Sequence, residues 1–271
     1  MKVWIHDWRV QVGSLDLGEL DVTFKIKRTL AARAGTCELT VFNLTAEHRH
    51  AMQQAQHPFV RVEAGYREGR SVIFQGDARK VQIGREKTDW KATITAGDGE
   101  HAVRTARVSR SFGAGTEVST VVAALADAMG VGRGNVATAL AGASLGTAGS
   151  VFTEGTVLHG RAAGELTRLA ASLGMEWSVQ EGVLQLLARG AALERTAVVL
   201  TSDTGLIDVP EVGKRGIVKA KALLLPDLVP GRLVRLDTSA VSGTYRIESG
   251  VWSGDTRSND WYVEMVLRVR S

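Results

Sequence analysis

The residues in this chain whose types and spacing could do chemistry are a serine between glycines, two close histidines, an acid–histidine cluster and six tryptophans. Gly142-Ala-Ser-Leu-Gly146 has the spacing of a nucleophile elbow, in which a strained strand-to-helix turn exposes the serine. Its context does not fit, because the preceding residues are Ala-rich and no helix is expected after it. The acid and histidine that follow in order, Glu154 and His159, also lie in one loop-like stretch. Gly130-Val-Gly-Arg-Gly134 has the glycines of a phosphate-binding loop, but such loops follow a strand and open a helix, whereas this one follows a helix and reads as its stop. In Glu47-His48-Arg49-His50 the histidines stand at i and i+2, on different sides of a helix, so they cannot converge on one metal. Asp98, Glu100 and His101 form the densest ligand-type cluster, yet Gly97-Asp98-Gly99 is turn chemistry. No carboxylate pair stands in a context for general acid–base work. Trp4, Trp8, Trp90, Trp177, Trp252 and Trp261 could line a carbohydrate groove, but most stand at strand starts, where a large ring packs under the end of a barrel. The expectation is therefore no enzyme, with no catalytic, cofactor-binding or metal-binding residues and no cofactor.

At 271 residues the chain suits two or three domains. A hydrophobic fraction of 44% and a charged fraction of 23% are those of a globular protein and exclude disorder throughout. The 30 glycines against 4 prolines favour hairpins over proline-rich linkers. The one cysteine, Cys37, shares a strand face with Leu39 and Val41 and reads as core, with nothing asking for an oxidising compartment. There is no apolar run of membrane length and no apolar signal-peptide core at the start, so use in solution, without membrane insertion, is expected. The net charge of +4 is spread among acids along strands, as at Lys25, Lys27 and Arg28, without a basic cluster. That is a solvated face, compatible with a wall past which DNA moves.

The elements that must position these residues are mostly strands. Leu20 to Lys27 alternates strictly, and Thr45 caps an expected helix over Ala46 to Gln56 that Pro58 ends. Strands are expected at Val60, at Ser71 to Phe74, at Ala78 to Ile83 and at Trp90 to Ala96. After Gly97, a strand is expected over Val103 to Phe112 and a helix over Glu117 to Met129. A Gly/Ala/Ser/Thr-rich loop, 131–156, follows and is expected to be functional or mobile. Next come a short strand at Val157 to His159, a helix over Arg161 to Leu173 and a hairpin turning at Glu181-Gly182. The C-terminal stretch brings turns at Pro226 and Pro230-Gly231, the alternating run Arg232 to Asp237, a turn at Ser242-Gly243 and a long strand from Trp261 to Val269. The expected class is α+β, mainly β: an N-terminal β-barrel with one helix over 1–103, an α+β middle region over 104–192 and a C-terminal β-barrel over 193–271.

The two β regions echo each other. Val60 to Glu63, Gln75-Gly76 and Asp89-Trp90 follow the order of Val234 to Asp237, Ser242-Gly243 and Asp260-Trp261, which reads as a duplicated β-unit. Unrelated meanders can also share a Val-x-Val, a turn glycine and a tryptophan.

The run Leu200-Thr-Ser-Asp-Thr-Gly-Leu-Ile-Asp-Val-Pro210, with Ala222 to Arg232, Ser242 to Ile247, Ser253 to Thr256 and Asp260 to Tyr262, resembles the baseplate hub proteins of tailed phages. Leu39-Thr-Val-Phe-Asn-Leu44 before a helix is similar to the opening barrel of that family. The resemblance implies two tube-like barrels per subunit and a homotrimer at the tail tip, related to the hubs of contractile injection systems. It also implies tail tube, spike and other baseplate neighbours, non-specific passage of DNA through the lumen, and a place in the virion after assembly in the host cytoplasm. Phe112 to Gly130 resembles a small strand–helix peptidoglycan-binding-like module, which in hubs is structural; a cell-wall or glycan-binding module is the alternative reading. The chain is short for the family, so an extra peripheral domain, a lytic one included, is expected to be absent.

Overall fold

The computed structural model describes residues 4–18, 20–31, 35–67, 69–98, 100–142, 151–193 and 196–269. The protein is α+β and mainly β, as the alternating runs predict. It divides into two compact units, one of residues 1–29, 35–98 and 193–271, the other of residues 30–34 and 99–192.

The first unit opens with β1 (His6–Val12), β2 (Leu15–Asp16), β3 (Val22–Thr29) and β4 (Thr36–Val41). It continues through α1 (Ala46–Gln54), β5 (Phe59–Tyr66), β6 (Ser71–Glu86) and β7 (Asp89–Gly97). In β3 the period of two is plain: Val22, Phe24 and Ile26 are buried while Lys25 and Lys27 face out. Helix α1 starts where its cap predicts, with the Thr45 hydroxyl accepting the His48 N–H at 3.1 Å.

The second unit holds α2 (Glu100–Thr105), β8 (Arg107–Phe112), α3 (Val118–Ala128), α4 (Val136–Gly142), β9 (Thr156–Arg161), α5 (Ala162–Ser172), β10 (Met175–Gln180) and β11 (Val183–Ala188). Strand β8 starts later than expected. Its partner β9 ends on Arg161 opposite Arg107, so residues upstream have no ladder to join and take a helical turn instead. Helix α4 lies inside the stretch expected as a loop. Val136 and Leu140 are buried with Leu125, Leu166, Trp177 and Leu186. The Asn135 side-chain amide donates to the Leu186 carbonyl and accepts its N–H, both at 2.8 Å, completing a strand edge. Gly134, at φ +47°, permits this approach, since a Cβ there would lie 2.0 Å from the Leu184 carbonyl oxygen. Residues 143–150 lie outside the described residues.

The chain then re-enters the first unit as β12 (Val198–Leu200), β13 (Glu211–Val212), β14 (Ile217–Leu223), β15 (Leu233–Asp237), β16 (Ser242–Asp255) and β17 (Trp261–Val269). These strands share one sheet with β1 to β7, in the order β13-β14-β17-β16-β3-β4-β7-β6-β5-β1-β2, while β15 bridges β12 and β16. The join between the two halves is β3 against β16, antiparallel from Thr29 opposite Ser249 to Thr23 opposite Asp255.

Candidate functional site

Among the described residues, those singled out for chemistry do not assemble. Ser144 lies outside the described residues. His48 is half-buried on α1 with no hydrogen-bond partner at Nδ1, and His50 is exposed. Asp98 is buried at the end of β7, its N–H donating to the Gly35 carbonyl, while the side chains of Glu100 and His101 are not among those described. No group of three metal-ligating side chains occurs among the described residues. Gly130, at φ +65°, closes the end of α3, as a helix stop does. A hollow of about 550 Å3 beside Trp8 is lined by Arg9, Asp16, His48 and Arg70. Its cations are already paired, Arg9 with Asp16 at 2.5 Å and Arg70 with Asp7 at 2.8 Å. The Arg9 guanidinium, hydrogen-bonded to Asp16, holds that carboxyl below the usual carboxylate range. Of the tryptophans, Trp8 borders that hollow, while Trp177, Trp252 and Trp261 are buried, and Trp177 donates to the Thr167 hydroxyl at 3.1 Å.

The tryptophans instead mark a repeated construction. The strand order β1-β5-β6-β7-β4-β3 of the N-terminal half recurs as β12-β15-β16-β17-β14-β13 in the C-terminal half. The first pair differs in direction, β1 running antiparallel to β5 and β12 parallel to β15. Both meanders bulge at the same rung, between Ala78 and Lys80 on β6 and between Ile247 and Ser249 on β16. Five rungs past Lys80, Arg85 faces Trp90; five past Ser249, Gly254 faces Trp261. The two tryptophans hold one position in two copies of a unit. The same ladders carry Ile83 onto Trp252 and, through β4 and β14, Ile26 onto Val212.

Equivalent positions have different surroundings. Trp261 is 2% exposed. It stacks on His6 at 4.6 Å, meets Phe24 of β3 edge-on at 5.3 Å and Trp8 at 6.3 Å, and its indole N–H donates to the Gly65 carbonyl at 2.9 Å. Burial holds His6 below its ordinary pKa and pushes the Tyr66 hydroxyl, 3.4 Å from the Trp261 carbonyl, up to about 12. Trp90 is 37% exposed, with the Arg49 guanidinium 4.3 Å from its ring centre. The reason lies in the strand edges. On β16, Ser249–Asp255 has β17 on one side and β3 on the other, whereas on β6 the matching Lys80–Glu86 has β7 alone among the described residues. Likewise β3 is paired on both sides, but its counterpart β13 is the sheet's terminal strand and leaves Val209 and Val212 72% and 68% exposed. The sequence signal for that edge is the short run Ile207-Asp-Val-Pro-Glu-Val212, in which the proline marks an edge strand.

A family model described as baseplate hub gp41 matches residues 9–266. No curated protein matches the sequence. Among solved structures, the fold is similar to the 43 kDa tail protein of prophage MuSo2 from Shewanella oneidensis, at TM-score 0.68 and 11% identity, covering 98% of this chain and 97% of that one. It is similar to a tail protein from Neisseria meningitidis MC58 at TM-score 0.64 and 9% identity, over 98% and 97% of the two chains. It is also similar to the E. coli c3393 protein, a type VI secretion component described as resembling the T4 phage tail proteins gp27 and gp5, at TM-score 0.62 and 9% identity, over 97% and 77%.

Proposed function

The chain belongs to the baseplate hub gp41 family, a family of structural phage tail proteins, and from that premise we propose that it forms a homotrimeric ring at the tail tip. In this reading the two β segments, 1–103 and 193–271, act as tube-like barrels flanking the middle region 104–192. Three chains then present six similar units to a six-fold tail tube while keeping three-fold symmetry for a central spike. The observation that carries the reading is the strand order repeated in the two halves, down to the shared bulge and the paired tryptophans. The ring passes DNA without reading it, through screened, non-specific charge. It works in the virion, after assembly in the host cytoplasm, and has no enzymatic activity.

Native mass spectrometry over a concentration series tests this. The expected product is a particle three times the 29.0 kDa chain. A chain that stays monomeric even with tube and spike proteins overturns the ring, and turnover of purified peptidoglycan by the assembled particle overturns the purely structural role.

A further inference from the structure

Within one chain, β3 of the N-terminal half closes the outer edge of β16 in the C-terminal half over seven rungs, Thr29–Ser249 to Thr23–Asp255. The halves share strand order and register, so each element of that junction has a counterpart. The counterpart of the β16 edge is Lys80–Glu86 of β6, and that of β3 is the segment ending in β13, Val209–Gly213. Both counterparts are open among the described residues. Alongside the open β6 edge runs a groove of about 410 Å3, lined by Met52, His57, Pro58, Ala78, Val81 and Ile83.

We infer that the Val209–Gly213 edge of one copy adds to the Lys80–Glu86 edge of the next, in the register β3 uses on β16. The inference rests on the trimeric-ring reading and specifies its junction. Joining unlike surfaces of identical chains is a heterologous contact, the kind that closes rings, and here it repeats between chains the joint already built within each chain. The transferred register places Val212 opposite Ile83 of the neighbour, as Ile26 stands opposite Trp252. Gly213 donates its N–H inward to Ile217, so alternation points the Val212 N–H outward, free for the ladder. Pro210 stands where β3 has Phe24 and withholds one outward donor, which makes the ladder shorter than its model and less open to chance partners. Trp90, at the position of Trp261, is then covered by the neighbour's Pro210.

The test is Ile83→Cys combined with Val212→Cys, oxidised and run on a denaturing gel without reductant. Cys37 is buried and does not compete. Covalent dimers and trimers are expected from the double variant, with monomers from either single variant and from Ile83→Cys paired with Val209→Cys, whose side chains leave opposite faces. Val212→Asp, at an exposed position, is expected to keep the monomer's thermal unfolding and to abolish the trimer at concentrations where the wild type assembles. Trimers that form without cross-linking, or that survive Val212→Asp, overturn the junction and leave the ring standing. A wild-type chain that never assembles removes both.

Discussion

Trp90 and Trp261 occupy the same rung of the same meander in two halves of one sheet, yet one ring is a third exposed and the other sealed. The meander itself does not decide this, since both halves build it with the same strand order and bulge. What decides it is the strand laid along its outer edge. Phe24, carried by β3, closes over Trp261 together with His6 and Trp8 of β1, and among the described residues Trp90 has no such aromatic cover. The two units share a strand order, and what pairs along their edges makes them unequal.

The largest break in that comparison comes from truncating the rings in the isolated chain. Trp261→Ala removes a buried ring with three aromatic neighbours and is expected to cost ~3–5 kcal/mol in urea denaturation. Trp90→Ala, losing a partly solvated ring and its Arg49 contact, is expected to cost about 1 kcal/mol. Equal costs would mean that edge pairing does not set the difference. Next in size is the glycine pair on the two edges. At Gly254 a Cβ would lie 2.3 Å from Phe24 Cζ, so Gly254→Ala is expected to destabilise by ~1–3 kcal/mol. At Gly84 a Cβ meets nothing within 4 Å, and Gly84→Ala is expected to stay within about 0.5 kcal/mol of wild type. The smallest effect is a pH dependence confined to the sealed side. Burial lowers the His6 pKa, so below the ordinary value of 6.5 the unfolded chain takes up a proton that the folded chain resists. Stability therefore falls as pH drops through 6.5, and a melting series from pH 8 to 5 is expected to show a shallower fall for His6→Phe than for wild type.

Local pattern made much of this legible. The alternation of β3, the Thr45 cap and the meander echo with its two tryptophans all come from near-neighbour chemistry, and helices α1, α3 and α5 stand within two residues of their expected ends. Two things were out of reach. Helix α4 is Ala- and Gly-rich and forms because Val136 and Leu140 find a core and Asn135 a strand edge, which are tertiary causes. The β3–β16 joint is also invisible to periodicity, because alternation tells which face of a strand is buried and says nothing about which strand lies beside it. The open edges, and with them the candidate assembly surface, follow from that pairing and were hidden with it.

The same joint sets a clock on synthesis. Thr29 leaves the ribosome about 220 residues before its partner Ser249, and at ~5–20 residues per second the β3 edge waits roughly 10–40 s for β16. During that interval a nascent chain displays on β3 the kind of bare strand edge that the finished chain keeps on β6, and crowded polysomes bring many such edges together. Premature pairing between unfinished chains is thus the misstep to expect, and slowing translation after β7 is expected to raise the aggregated fraction.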